Sequence, residues 1–333
     1  MTARIAQVRL ALEGGADLAD KINPRLIRLS LSERREAEAD ELELILHNAD
    51  RKLVIPEPGR VLTLAMGWQS GDDVPLGLVD KGRFTVDEVG EEGPPDVVIV
   101  RARSADLTGL LRQRRTKSWK QTTLGAILAD IASRHGRMAK VAPQLAAQPI
   151  AAIEQEGKSD MVFVRDLGRR FDAIATWKDG KLVFLPIGAS ATASGSPLAG
   201  ATLVKADGWR WTFNQADREA YDGATAQWQD QDAGRRRTIK EGGDNRRKLK
   251  RVYSSEEEAR QAAKAATSRA GRKPYRFTYE LAIADPALQP DMRVGLAGWN
   301  DKIDGIDWLV ESVTTEFGAS GLRQSIEMES APA

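Results

Sequence analysis

The sequence predicts a mainly β protein carrying an α+β insert, with its first β region echoed by its last. Three observations lead there. Apolar residues alternate at period two through most of the first hundred positions, helical spacing takes over near residue 105, and strand patterns resume after residue 201.

In the first region Val8, Leu10 and Leu12 alternate in VRLAL, Ile27, Leu29 and Leu31 in IRLSLS, and Leu62, Leu64, Met66 and Trp68 in VLTLAMGW. Period two puts each set on one face of a sheet. Turn chemistry separates them at EGGAD (13–17), PEPG (56–59), SGDD (70–73) and EEGPPD (91–96). Short strands with frequent turns favour a barrel or sandwich over an α/β nucleotide fold, and closure hides strand edges.

Helical spacing enters with SADLTGLLRQRR (104–115) and becomes clear in TLGAILADIASRHG (123–136), where Leu124, Ile127, Leu128 and Ile131 form one apolar stripe. A second helix is expected in DMVFVRDLGRRFD, with Met161, Val164, Leu167 and Phe171 in register. It leads into IATWKDGKLVFLP, whose Asp179-Gly180 is a hairpin signal. Residues 188–201, GASATASGSPLAGA, read as a flexible linker or long loop.

Strand patterns resume in GWRWTF and AYDGATAQWQD, followed by GRRRTIKEGGDNRRKLKR (234–251), expected as a polar loop. SSEEEARQAAKAATSRAG is expected to be a helix with a Ser255/Glu258 capping box and a stop at Gly271. The last strands fall in RFTYELAIA, MRVGLAGW, DWLVESVTTEF and RQSIEMES. The expected domains are 1–105, a first β-barrel; 106–190, the α+β insert; and 191–333, a second β-barrel with a loop and helix at 230–272.

A weak internal repeat ties the two β regions together. RVLTLAMGW is followed by GRFTVDEV, and MRVGLAGW by GIDWLVESV; Phe84, Val86 and Val89 share the i, i+2, i+5 spacing of Trp308, Val310 and Val313. Each copy then closes with a strand, DVVIVRARSA or LRQSIEMESA. Two unrelated β segments can match this way by chance; the alternative is a duplicated barrel, of which a trimer would present six around an axis.

Composition excludes several chemistries. The 333 residues carry 49 lysines and arginines against 48 acids, so no global field favours nucleic acid or an anionic membrane. There is no cysteine, hence no disulfide, thiolate nucleophile or cysteine-held metal. Two distant histidines, His47 and His135, make no usual zinc site. The N-terminus lacks a signal-peptide core and no apolar run reaches the ~18 residues of a membrane helix, so the chain is expected to stay in a cytoplasm or leave it by lysis.

No residue pattern demands a catalytic, cofactor-binding or metal site. EGKS at 156–159 resembles the end of a phosphate loop but has Ala152 where glycine is required. The run from Arg235 to Arg251 could neutralise phosphates, yet it lacks interleaved aromatics and contains Glu241 and Asp244. SERREAEADELE and SSEEEAR read as charged faces or caps, and Ser196 in ASGSPLAG has no strand leading into a nucleophile turn. Trp68, Trp209, Trp211, Trp228, Trp299 and Trp308 are expected in a core or interface. His135, beside Arg134 and before Gly136, reads as the end of a helix, not as a catalyst.

GRFTVDEVGEEGPPDVVIVRARSAD, WKQTTLGAILADIASRHG, KSDMVFVRDLGRRFDAIATWKDGKLVF and LQPDMRVGLAGWNDKIDGIDWLVESV resemble, in this order, the late control protein D family of contractile-tailed bacteriophages. Those are baseplate hub proteins, similar in fold to the hub of R-type pyocins and to the N-terminal part of type VI secretion spike proteins. The resemblance covers nearly the whole chain. It implies a homotrimer with two tube-like β-barrel domains per chain, placed between a six-fold tail tube and a three-fold spike. Partners implied are the spike protein, a tail tube or tube-initiator protein, and possible contacts with a tape-measure protein and other baseplate proteins. The location implied is a virion or tail-like particle assembled in the host cytoplasm.

The resemblance supplies no catalytic residue and no cofactor. Pro290-Asp291 stands where a Pro-Gly turn is common in the family, and Thr314-Thr315-Glu316 replaces a segment that often holds a histidine. The chain stops soon after its last strand, so the spike is expected to be a separate protein. Two other readings are kept as expectations to test: a cell-wall hydrolase of the tail tip, and a nucleic-acid-binding module using residues 235–251.

Overall fold

The computed structural model describes the chain apart from residues 1–2, 16, 19–21, 36–38, 54–56, 105–110, 112, 179, 192–195, 216–220, 273–274 and 332–333. The protein is mainly β, as the alternation predicts. Its first unit comprises β1 (Ile5–Leu12), β2 (Leu26–Arg34), β3 (Glu41–His47), β4 (Val61–Ser70), β5 (Gly77–Glu92) and β6 (Val97–Arg103). They lie in the order β1-β4-β5-β6-β3-β2, antiparallel throughout.

β3 corrects the reading of SERREAEADELE as a charged face or cap. Leu42, Leu44 and Leu46 alternate beneath its glutamates and are buried, the first two in one core with Leu10, Leu31, Leu64, Phe84 and Val100. Composition is charged there, but parity decides the face. Residues 36–38 of that stretch, like the expected domain boundary at 105/106, lie outside the described residues.

The insert comprises β7 (Arg114–Thr123), α1 (Leu124–Ser133), β8 (Met138–Val141), α2 (Pro143–Ala146), β9 (Pro149–Ser159), α3 (Asp160–Phe171), β10 (Ala173–Lys178) and β11 (Lys181–Pro186). Thr123 caps α1 by accepting from the Ala126 N–H, and Ser159 caps α3 by accepting from the Val162 N–H. The expected stripe of α1 is wholly buried; that of α3 is Phe163, Val164, Leu167 and Phe171, with Met161 half-buried beside it. Each such apolar side chain taken from water stabilises by roughly 1.5–3 kcal/mol. The hairpin turns between Lys178 and Lys181 with Gly180 at φ +68°, while Asp179 lies outside the described residues.

The last part begins with β12 (Ala201–Val204) and β13 (Gly208–Gln215). β14 (Gly223–Asp230), β15 (Arg235–Gly242) and β16 (Arg246–Tyr253) then form a three-stranded sheet under α4 (Glu256–Arg272). The expectation of a polar loop at 234–251 is therefore overturned. β15 and β16 flank β14 on either side, and Ile239 and Leu249 pack against the alanines of β14 and α4. Backbone pairing plus two inward aliphatic residues make strands of a run too basic to advertise them. Gly271 is not the stop either: α4 continues through it to Arg272, whose side chain is drawn into a buried ion pair. In the expected linker, Ala191 bridges Pro197, and 192–195 lie outside the described residues.

β17 (Tyr275–Leu281), β18 (Arg293–Ala297), α5 (Asp301–Asp304), β19 (Trp308–Gly318) and β20 (Gly321–Ser330) complete the second unit. Its order is β12-β18-β19-β20-β17-β13, the order of the first unit strand for strand, although β12 and β18 are parallel where β1 and β4 are antiparallel. β2 pairs antiparallel with β19, from Arg34 opposite Ser312 to Arg28 opposite Gly318, and so fuses both units into one twelve-stranded sheet.

The odd i, i+2, i+5 spacing has a backbone cause. The β5–β6 register shifts between Val86 and Glu88, and the β19–β20 register shifts between Val310 and Ser312. One extra residue, Asp87 or Glu311, flips the parity, so the inward position moves from an even to an odd offset. The entry turns match as well. Gly59 N–H donates to Val86 O and Asp291 N–H to Val310 O, at 2.7 and 2.9 Å, and both residues have positive φ, +93° and +69°.

Candidate functional site

His135 lies just beyond α1, in the turn closed by Gly136 at φ +64°, and its side chain points inward. A 2.8 Å hydrogen bond joins its Nε2 to Asp160 Oδ2, and its ring stands edge-on to Trp177 at 5.6 Å. Asp160, fully buried at the start of α3, also accepts from Arg134 Nη1 at 3.1 Å and Gln155 Nε2 at 2.8 Å. The sequence around this histidine shows no acid partner; the fold supplies one from 25 residues away. The cluster satisfies a carboxylate at a helix N-terminus and ties α1 to α3, which is structural chemistry.

The other sequence candidates do not converge with it. His47 is exposed at the end of β3. In EGKS, Gly157 has φ +59°, Lys158 pairs with Asp166 at 2.6 Å and Ser159 caps α3. Ser255 accepts from the Glu258 N–H, while the Glu258 carboxylate turns to the Ser254 hydroxyl at 2.7 Å, so the capping box is completed one residue early. Ser196 lies beside the Ala191–Pro197 bridge. In the basic run, register places Arg236, Lys240 and Lys248 with Gln229 and Thr225 on the sheet face opposite the buried alanines. Among the described residues no group of three or more His, Cys, Asp or Glu is placed to hold a metal ion, and no helix is long and apolar enough to cross a membrane.

A buried ion network was not anticipated. Arg272, at the end of α4, forms a bidentate pair with Asp172, both contacts 2.6 Å, and reaches Glu329 of β20 through Nε at 2.9 Å. Arg35, just past β2, meets the same Glu329. Asp172 ends α3 in the left-handed conformation, φ +51°. Burial alone would raise its carboxyl; the hydrogen bonds and charge of Arg272 outweigh burial and hold it below the usual carboxylate range. Asp291 accepts from the Gly188 and Ser190 N–H groups at 2.8 and 3.0 Å, yet burial pushes it above the ordinary value. Together these contacts tie the α+β insert and α4 to the twelve-stranded sheet.

The surface is unusual at two strand edges. Trp68 and Trp308 are buried and donate to Ala284 O and Ile303 O, and Trp228 and Trp299 are half-buried. Trp209 and Trp211 instead stand on β13, 62% and 40% exposed, although Trp211 stacks on Phe277. Among the described residues β13 is paired with β17 alone, at one end of the sheet. β5 pairs with β4 up to Thr85 and with β6 from Thr85 to Glu92, so among the described residues its stretch 88–92 has no strand on its second side. It carries the exposed acids Glu88, Glu91 and Glu92. Such geometry suits assembly: edges and aromatic surface, with buried charges spent on rigidity.

The architecture defines a class. It is similar to a 43 kDa prophage tail protein from Shewanella oneidensis, with a TM-score of 0.68 at 14% identity, covering 96% of this chain and 97% of that one. It is also similar to an E. coli component of the type VI secretion system, with a TM-score of 0.56 at 13% identity over 93% and 74% of the two chains. No family model matches the sequence. Two curated proteins do: the probable baseplate hub protein of Escherichia phage 186, 35% identical over 94% of this chain and 90% of its own length, and that of Escherichia phage P2, 36% identical over the same shares. The chain belongs to this family of phage baseplate hub proteins.

Proposed function

We propose that the chain serves as a structural baseplate hub, a homotrimer adapting a six-fold tail tube to a three-fold spike, without a catalytic role. The observation that carries this reading is the correspondence of the two β units: one strand order, one bulge position after Val86 and Val310, and one entry turn at Gly59 and Asp291. An internal duplication leaves this kind of correspondence. Three chains that each carry the unit twice offer six similar surfaces around an axis, which a six-fold partner can match, while a three-fold partner meets three identical chains.

On this reading the chain contacts the spike protein on one side and the tail tube or a tube-initiator protein on the other. A tape-measure protein and other baseplate proteins complete its neighbours. It is assembled in the host cytoplasm and ends in the virion or tail-like particle. Its domains are the first β unit, 1–105, the insert, 106–190, and the second β unit, 191–333, interrupted at 230–272. Light scattering of the purified chain, alone and with its co-expressed spike protein, tests the reading. A trimer mass is expected; a chain that stays monomeric in both preparations argues against it.

A further inference from the structure

We propose that the cleft between the β7–β9 pair and β16, with the cationic sheet face that runs into it, is a docking site for an acidic, extended segment of a partner protein. The assignment does not depend on the trimeric reading.

The face is built by register. Lys240, Thr225 and Lys248 form one row across the three-stranded sheet, Thr238 and Val252 flank Gln227, and Arg236 stands opposite Gln229. These residues of β14 alternate with the buried Ala224 and Ala226, so α4 covers the other side and this side is open. Arg236, Lys240 and Lys248 are exposed, and among the described residues none of the three is ion-paired, in a chain whose 49 cations and 48 acids otherwise balance. Lys240 and Lys248 are held two strand spacings, about 10 Å, apart. Like charges at that distance repel at low salt, and a partner's carboxylates between them relieve the repulsion.

The face continues into a cleft of about 460 Å³. Gln229 and Val252 belong to both, and Trp119, Lys120, Ile153 and Arg251 also line the cleft. Glu154, the acid beside them, accepts from the Ser118 hydroxyl at 3.4 Å. Val252, 36% exposed, and the half-buried Ile153 give the cleft an apolar patch that suits one aliphatic side chain. β16 is the outer strand of its sheet, so an extended segment lying along it can add backbone hydrogen bonds.

Nucleic acid would also meet the cations, but the aromatic rings here are already covered. Phe163 stacks on Trp119 at 5.4 Å with Lys117 and Arg134 over the same ring, and Arg170 and Arg251 lie over Tyr253. A base therefore finds no face to stack on. An acidic protein segment with an apolar anchor uses both the cations and the cleft.

The probe is a fluorescein-labelled peptide of glutamates around one central leucine, titrated with the full chain at low salt and followed by anisotropy. Binding is expected that weakens as salt rises and is about tenfold weaker when serine replaces the leucine. Lys240→Glu combined with Lys248→Glu, and separately Ala152→Phe, which fills the cleft from an exposed position of β9, should each weaken it about tenfold. No binding at low salt, equal binding of the leucine and serine peptides, or DNA bound more tightly than the leucine peptide overturns the proposal. The leucine–serine comparison is made on the native chain, so it decides the matter even where a variant fails to fold.

Discussion

In the first β unit the core is largely aliphatic, with Trp68 and Phe84 set among leucines and valines, whereas the second packs Phe213, Tyr275, Phe277, Tyr279, Trp299 and Trp308 against one another. The strand order is nevertheless the same. Core side-chain identity is therefore not what the two units share; the bulge position and the entry turn are. The aromatic core has a physical occasion. β2 and β3 are joined by residues 35–40, but β13 and β17 by residues 216–274, a connection about tenfold longer. As an unfolded loop it would cost on the order of 2 kcal/mol more in chain entropy to close, before its own sheet and helix form. Aromatic pairs such as Phe277–Trp299 at 5.3 Å and Phe213–Trp308 at 6.2 Å, each worth about 0.5–1.5 kcal/mol beyond burial, offset it.

The sharpest way to break the correspondence is to remove the bulge. Deleting Glu311 should turn Val313 and Thr315, both fully buried, toward the wrong face and cost at least about 4 kcal/mol. Deleting Asp87 should cost less, because Val89 beyond it is only half-buried. Urea denaturation of the two variants checks the order; equal losses would mean that the bulges do not set parity. A smaller contrast is expected at the matching core positions. Phe84→Ala and Trp308→Ala should each cost about 3–5 kcal/mol, with Trp308 the costlier because Ile303 O also loses its donor.

The buried network joins the twelve-stranded sheet to the α+β insert and to α4. Arg272→Ala leaves Asp172 and Glu329 without their shared guanidinium, and about 3 kcal/mol should be lost. Because the Asp172 carboxyl is held below its ordinary value, its contribution is present above the unfolded carboxylate pKa and disappears as pH falls through the lowered folded value. Stability titrated downward from neutral pH should therefore fall for the native chain. The Arg272→Ala variant should lack that part of the fall.

Much of the framework was legible because its evidence is local. Alternation located the paired strands, and the stripe at Leu124, Ile127, Leu128 and Ile131 located α1. The strands β7 and β9 escaped because Arg114–Thr123 is almost wholly polar and Pro149–Ser159 does not alternate; Trp119, stacked on Phe163 at 5.4 Å, does the packing instead. The site was less legible for a different reason. Arg272 lies 100 residues from Asp172 and 57 from Glu329, and no periodicity connects such partners. The i+5 spacing of Val89 and Val313 was visible, but only the register reveals the bulge behind it. Trp209 and Trp211 looked like any other tryptophans until β13 proved to be an edge.

The subtlest test concerns the entry turn, where the first unit has Gly59 and the second Asp291. Both backbones need positive φ, which glycine adopts freely and Asp or Asn tolerate. Asp291 uses its side chain to hold the Gly188 and Ser190 N–H groups, a bond that Gly59 cannot make. Burial raises the Asp291 carboxyl, so its ionisation favours the unfolded chain: the stabilising influence is full below the unfolded carboxylate pKa and is lost as pH rises through the raised folded value. Asp291→Asn keeps an acceptor and the turn but cannot ionise. Its stability should match the native chain within about 1 kcal/mol at neutral pH and should decline less from about pH 4 upward. Asp291→Gly restores the turn of the first unit but removes the acceptor, so hydrogen exchange at the Gly188 and Ser190 amides should quicken in it and not in Asp291→Asn. Equal exchange in both variants would show that the turn alone, and not the carboxylate, holds the end of the insert against the second unit.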